Sequence, residues 1–428
     1  MDQIAQVPTS AESESMPGWK KKVSVFLVGQ TMTTFGSLLV QYALLWHLTL
    51  TTKSGVVLAL AAVFGFLPQA IVSIFAGVWA DRVNRKLMII VSDSTIALAT
   101  LVLAFFMISG VDDLWLVFLV MAVRSVGAGI QMPAISALIP QIVPTDKLMR
   151  VNGINSSVQS SLLIIGPVAA AGIYSTVSLA AILFVDVVTA VIGLSLLATI
   201  SVPTLFRAAS NDKPSYLTDL KEGLNYIFSH DLVRWVMVIY SIVFLLVVAP
   251  SNLSPLMLVR TFGSDVWLLT ILELSFGIGM VAGGALMAIF ASKMDRLGMM
   301  VGTSILFGVL AVVMGFTTNL ILFYSLFFLI GLAVPAFSTS SMTLLQETVE
   351  PERQGRVFGF VGIVMAVAMP LGMAVLGPLA DIVSVEILLI ATGAITVLIA
   401  VVAVLLPAGK RAIAAAHAST GPELQTKK

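Results

Sequence analysis

Twelve apolar stretches, each longer than 20 residues, follow one another along the chain, and no soluble fold could bury them all. A helix rising 1.5 Å per residue needs about 20 residues to cross a ~30 Å hydrocarbon slab, so each stretch is long enough to span a membrane. Read against their polar breaks, the spans are 23–49, 55–80, 87–109, 114–139, 151–175, 177–201, 233–259, 266–291, 297–317, 319–345, 356–380 and 383–406. Interior prolines such as Pro68, Pro133, Pro167 and Pro370 do not break this pattern. Membrane helices tolerate them where neighbours re-satisfy the backbone. The pattern predicts an all-α membrane protein of twelve transmembrane helices.

Composition agrees. Hydrophobic residues make up 58% of the 428 positions and charged residues 11%, against roughly 25% charged in soluble proteins. A formal net charge of +1 predicts no nucleic-acid partner. With no cysteine, disulfides, thiolate metal sites and cysteine nucleophiles are excluded. No metal site or cofactor is expected. Residues 1–19 are polar and the first span is too long for a signal-peptide core, so no cleavage is expected.

The cations set the orientation. Of the 23 Lys and Arg, only Lys53 and Arg260 fall on the side opposite the N-terminus, and Arg124 falls within a span. Positively charged loops stay inside, which puts both termini in the cytoplasm.

The longest connection, 202–232, divides the chain into two sets of six spans. The expected organisation is a cytoplasmic tail over 1–19, a first bundle over 20–201, a linker over 202–232, a second bundle over 233–406 and a cytoplasmic tail over 407–428. Tyr216–Phe228 (YLTDLKEGLNYIF) spaces its apolar residues at helical intervals. An amphipathic segment on the inner membrane surface or against the bundles, and a solvated linker helix, both fit that spacing. Val143–Gly153 (VPTDKLMRVNG) and Val349–Gly359 (VEPERQGRVFG) align without gaps 206 positions apart, each joining an even-numbered span to the next. This predicts two pseudo-symmetric six-helix bundles, an arrangement secondary transporters use for alternating access. Two such bundles form a complete pathway in one chain, so a monomer is expected.

Charges inside the spans carry the functional reading. Arg124 lies near the centre of the fourth span, Asp186 in the sixth and Glu273 in the eighth. An ionised group at mid-bilayer costs roughly 2.5–3.5 kcal/mol even on insertion scales. Arg124 and Asp186 lie at similar depth, which allows them to pair and makes Asp186 mainly structural. Glu273 has no intramembrane cation in its own half and lies near Gly277, Gly279, Gly283 and Gly284, where a backbone or a solute can approach closely. Such a carboxylate is suited to exchange a proton or attract a cationic amine. A buried, permanently protonated Glu273 is the structural alternative.

Gln30, Thr34, Ser37 and Gln41 form a polar stripe along one face of the first span. It must face water or protein, either as a solute pathway or as interhelical hydrogen bonds. Between the second and third spans, Gly77–Lys86 (GVWADRVNRK) places Asp81 four residues after Gly77, followed by Arg82, Arg85 and Lys86. Such a loop either gates the cytoplasmic side or simply anchors it. Asp93, about six residues into the third span, is expected to pair with Arg82 or Arg85 as part of the gate.

That spacing, Gly-x-x-x-Asp-Arg-x-x-Arg-Lys, resembles the signature loop of the major facilitator superfamily, with Asn84 where the pattern usually has glycine. The counterpart in the second half, Ser292–Arg296 (SKMDR), keeps only the Asp-Arg pair. Arg124–Gly129 (RSVGAG) resembles the fourth-helix motif of the superfamily's proton antiporters. Gly166-Pro167 resembles their fifth-helix packing motif, although alanines stand where two glycines are usual. Gly65–Lys86, Ile271–Leu286, Glu347–Phe358 and Ala368–Asp381 together resemble the macrolide efflux branch, over about 400 residues.

The resemblance implies export of hydrophobic, often cationic small molecules in exchange for protons, with Arg124, Asp186 and Glu273 as candidate coupling residues. Siderophore and lysophospholipid carriers share much of the pattern, so export or flipping of such a molecule is the alternative. An ion channel is the weaker reading. No Gly-x-x-x-x-Gly-Lys-[Ser/Thr] loop supports an ATP-driven pump, and no intrahelical lysine supports a retinal protein. His47 is the one histidine within a span, which argues against haem. A transporter rather than an enzyme is expected.

Overall fold

A computed structural model describes residues 18–202, 216–290, 294–406 and 409–411. Among them every regular element is helical. The first half contains α1 (Trp19–Thr52), α2 (Gly55–Arg82), α3 (Arg85–Ile108), α4 (Leu114–Ile142), a short 3-10 turn, α5 (Leu148–Tyr174) and α6 (Leu179–Ala198). The connection carries α7 (Tyr216–Ser229). Then follow α8 (Asp231–Leu246), α9 (Ser254–Thr261), α10 (Val266–Phe290), α11 (Arg296–Gly315), α12 (Leu320–Thr348), α13 (Pro351–Ile382) and α14 (Val385–Leu405). Among the described residues, twelve spans are long and apolar enough to cross a membrane, with α8 and α9 together making the seventh.

Local sequence explains where the helices begin. Asn84, Ser178, Asp295, Asn319 and Ser384 each accept a hydrogen bond from a backbone N–H three residues on, capping α3, α6, α11, α12 and α14. The seventh span departs from the continuous helix predicted over 233–259. It widens into a π turn at Ala249–Leu253, between α8 and α9. Pro250 has no N–H and its ring crowds the preceding turn, and Pro255 follows five residues later. A π turn is one of the identified ways a helix absorbs such an interruption.

Side-chain exposure fits the hydropathy. Phe105, Ile108, Leu119, Ile321, Ile382 and Leu398 are large, apolar and exposed. Distributed along transmembrane helices, such side chains have acyl tails as their natural solvent.

The chain divides into two compact units, Met1–His47 with Phe64–Ser210, and Leu48–Val63 with Asn211–Lys428. The first unit has a core around Phe26, Ile89, Leu138, Ile139 and Ile142. In the second, Tyr240 stacks on Phe337 with ring centroids 5.5 Å apart and planes 7° from parallel. Gly279 and Gly283 on α10 face the backbone of α12 at Phe328 and Leu332, with no room for a Cβ. Those two glycines serve helix packing rather than solute approach.

The linker helix α7 packs against α13. Tyr226 and Ile227 are buried, and a Cβ on Gly223 would lie 3.1 Å from the Arg356 side chain and from Phe360. Glu222 pairs with Arg356 at 2.8 Å. Of the alternatives the spacing left open, packing against protein is the one observed.

Candidate functional site

Arg124 enters the first unit's interior from α4 and meets Asp186 from α6 at 2.5 Å. Asp186 is 1% exposed. The same guanidinium nitrogen donates to the Thr100 hydroxyl on α3, which itself lies 3.1 Å from the carboxylate oxygen that Arg124 contacts. A second nitrogen donates to the Ser37 backbone carbonyl on α1 at 3.3 Å, and the Ser37 hydroxyl donates to the other Asp186 oxygen at 3.4 Å. Four helices therefore supply one network.

Close helix approach makes this possible. A Cβ at Gly36 would overlap the Thr189 hydroxyl and lie 2.9 Å from an Asp186 oxygen, so glycine lets α1 approach α6 at that depth. Burying an ion pair is favourable only when good geometry and further hydrogen bonds offset desolvation. Thr100 and Ser37 provide those bonds.

Beside the pair lies a cavity of about 150 Å³ lined by Ser37, Gln41, Gln69, Arg124, Ser125 and Gln131 together with apolar side chains. Sites for drug-sized ligands run to roughly 300–1,000 Å³. This one suits a few waters or a proton relay rather than a whole drug molecule. Ser37 and Gln41 from the predicted stripe line it, while Gln30 and Thr34 are not among its lining residues. Gln30 is buried, and its amide nitrogen has no hydrogen-bond partner among the described residues.

Asp93 is buried on α3, and its carboxylate accepts from the Gln131 amide on α4. Sequence reasoning looked instead to Arg82 or Arg85 for its partner. Arg85 donates to the carbonyls of Ala80 at 2.9 Å and Ala137 at 2.8 Å. Lys86 donates to the carbonyls of Ala198 and Ile200 at 2.9 and 2.7 Å, at the C-terminal end of α6, where carbonyls lack helical partners. Both cations bind carbonyl groups at or near helix ends. Asn84 caps α3 by accepting from the Leu87 N–H, which gives the residue standing in place of the usual glycine a local role. The side chains of Asp81 and Arg82 lie outside the described residues. Gly77 is exposed, and a Cβ there would meet open space.

Gly166 and Pro167 are buried on α5, with Gly166 facing Tyr42 and Leu38 of α1. A Cβ at Gly166 would lie 3.5 Å from the Tyr42 ring, an ordinary contact. Glu273 belongs to the second unit, on α10. It is half-buried and makes no hydrogen bond or ion pair among the described residues. The structure therefore brings Arg124, Asp186, Ser37 and Gln41 together within the first unit.

Two hydrogen-bonding neighbours of these charges escaped the sequence reading, Thr100 and Gln131. A usable signal existed for Thr100. It follows Asp93 by seven residues, on the same face of α3, within an apolar helix.

Comparison with known proteins fits this arrangement. The sequence profile described as Major Facilitator Superfamily matches residues 23–298 and 266–425. Macrolide efflux protein A of Streptococcus pyogenes is 31% identical over 392 residues, covering 91% of this chain and 96% of that protein. Macrolide efflux protein A of Enterococcus faecalis is 31% identical over 323 residues, covering 75% and 99%. In fold, the chain is similar to a bacterial homologue of the human lysosomal transporter Spinster, with a TM-score of 0.65 at 15% identity, covering 95% of this chain and 97% of that one. It is also similar to a POT family transporter, with a TM-score of 0.69 at 12% identity, covering 90% and 96%. The protein is a membrane transporter and not an enzyme. With its profile match and its relatives each spanning most of the chain, it belongs to the Major Facilitator Superfamily, in the macrolide efflux branch.

Proposed function

We propose that this transporter exports hydrophobic small molecules of the macrolide kind, cationic ones included, in exchange for protons by alternating access. The supporting observation is the buried Arg124–Asp186 network beside a small polar cavity. An ionised pair inside a membrane bundle is costly, and such groups typically mark proton or substrate pathways. The names of the relatives supply the substrate class.

In this reading Glu273 exchanges the proton, because a half-buried carboxylate with no partner among the described residues is free to change its protonation state. Arg124 and Asp186 hold the fixed charges of the first bundle. Gln30, Thr34, Ser37 and Gln41 line the polar side of the pathway. Gly77, Asp81, Arg82, Arg85, Lys86 and Asp93 form the cytoplasmic gate, and Gly166-Pro167 sets the packing of α5. The chain works as a monomer of two six-helix bundles, 20–201 and 233–406, in the bacterial plasma membrane with both termini cytoplasmic.

The test compares macrolide susceptibility of cells with and without the chain, each with and without a protonophore. Resistance conferred by the chain and removed by the protonophore is the expected result. Equal susceptibility with and without the chain would reject macrolide export.

A further inference from the structure

Within the second unit, one carboxylate gathers four donors from two other segments. Asp381, at the end of α13, accepts from the Gly55 N–H at 2.6 Å and from Arg260 at 2.7 Å on one oxygen. Its other oxygen accepts from the Ser54 hydroxyl at 2.7 Å and the Val56 N–H at 2.9 Å. The two N–H groups belong to the first turn of α2, where no helical acceptor is available and a negative charge is favoured. Asp381 thus caps α2 from more than 300 residues away in sequence.

Arg260, at the end of α9, completes the grip. It donates twice to the Lys53 carbonyl, at 3.1 and 2.6 Å, and once to the Ala380 carbonyl at 2.6 Å. Lys53 has φ of +49°, a left-handed conformation that is uncommon for a residue with a side chain. Backbone contact reinforces the polar one. A Cβ on Gly55 would strike the Gly377 carbonyl, and one on Gly377 would strike the Gly55 carbonyl.

Two features mark this as a fastening that can be undone. First, Arg260 and Asp381 keep 30% and 27% of their side chains exposed, so water can replace their contacts. The Arg124–Asp186 pair, at 11% and 1%, is far less accessible. Second, the gripped turn lies within Leu48–Val63, which clusters with the second unit, although α1 and α2 continue into residues of the first. The sequence points the same way. Gly377-x-x-x-Asp381 repeats the Gly77-x-x-x-Asp81 spacing of the proposed gate.

We propose that Asp381 and Arg260 are positioning residues for transport, forming a releasable clasp on the α1–α2 turn that sets how often the outer ends of the helices part. This rests on the alternating-access reading above, in which those ends separate once per cycle.

The chain has no cysteine, so a single introduced thiol reports without background. Ala59→Cys places that thiol one turn into α2, at a position 5% exposed and packed against Gly377. Its labelling by a membrane-impermeant maleimide is measured on intact cells expressing the full chain. Adding Asp381→Ala or Arg260→Ala is expected to speed labelling about tenfold. Adding Asp381→Glu, which keeps the acceptor, is expected to leave it close to the starting rate. Ala104→Cys, fully buried near the outer end of α3 in the first unit, is the control for general loosening and should stay unlabelled in every background.

Equal labelling with and without Asp381→Ala would overturn the clasp, as would labelling that rises equally at Ala59→Cys and Ala104→Cys. If Asp381→Ala does not reach the membrane, Asp381→Asn and Arg260→Gln carry the same test with the same two outcomes. Labelling needs no drug and no proton gradient. Faster labelling in a chain that exports nothing would therefore keep the clasp and reject the export reading. Proton-driven export with unchanged labelling would do the reverse.

Discussion

One guanidinium nitrogen of Arg124 lies 2.5 Å from the Asp186 carboxylate, joining α4 to α6 with Asp186 almost wholly shielded. Removing one partner of such a pair leaves the other charged and buried, at a cost of roughly 3–5 kcal/mol. Arg124→Ala should abolish export and lower the detergent melting temperature while protein still reaches the membrane. Drug accumulation assays with quantitative membrane immunoblots check this, and near-normal export would reject the role.

Arg124→Lys should be almost as damaging. Arginine's planar fork reaches Asp186, Thr100 and the Ser37 carbonyl together, whereas an ammonium is a point charge on a flexible stem. Export by Arg124→Lys and Arg124→Ala at matched membrane levels tests this. Recovery above half the native rate would show that charge alone suffices.

Glu273→Gln keeps the size of the side chain and removes its ability to lose a proton. In the proposed mechanism, export by this variant no longer responds to pH. Transport at several pH values in everted vesicles gives the comparison. A profile that parallels the native one would reject Glu273 as the proton carrier.

Gly36→Ala tests the packing beneath the network. The added Cβ overlaps the Thr189 hydroxyl, and overpacking of this kind costs about 1–3 kcal/mol. A melting temperature lowered by several degrees is expected. By contrast, Glu222→Ala removes an exposed pair with Arg356 and should change stability by no more than about 0.2–1 kcal/mol. Thermal unfolding of both variants in one detergent measures the contrast.

Much of this architecture was legible in the sequence because lipid imposes one strong rule. A spanning segment must satisfy its own backbone, so an apolar run of the right length is almost always a helix. Charges within such runs stand out for the same reason, and so Arg124, Asp186 and Glu273 could be named in advance. Their neutral partners could not. Thr100 and Gln131 cost little in a helix wherever they point, and only tertiary packing shows that they meet Arg124 and Asp93. The break at Ala249–Leu253 carried a signal in Pro250 and Pro255, but proline in a membrane helix is compatible with a smooth kink as well as a π turn. Asp381 shares the Gly-x-x-x-Asp spacing of Gly77 and Asp81, but a carboxylate at the end of a span is ordinary and that spacing alone names no partner. Its importance comes from α2 and Arg260 arriving at the same place.

The central claim, exchange of drug for protons, is tested most directly with purified chain in liposomes. Vesicles are loaded with a labelled macrolide, a pH gradient is imposed in either direction, and drug movement and internal pH are followed together. The account predicts that drug moves against its own gradient only when protons flow the opposite way, and that a protonophore abolishes this movement. Drug movement that is indifferent to the pH gradient and to the protonophore would contradict it.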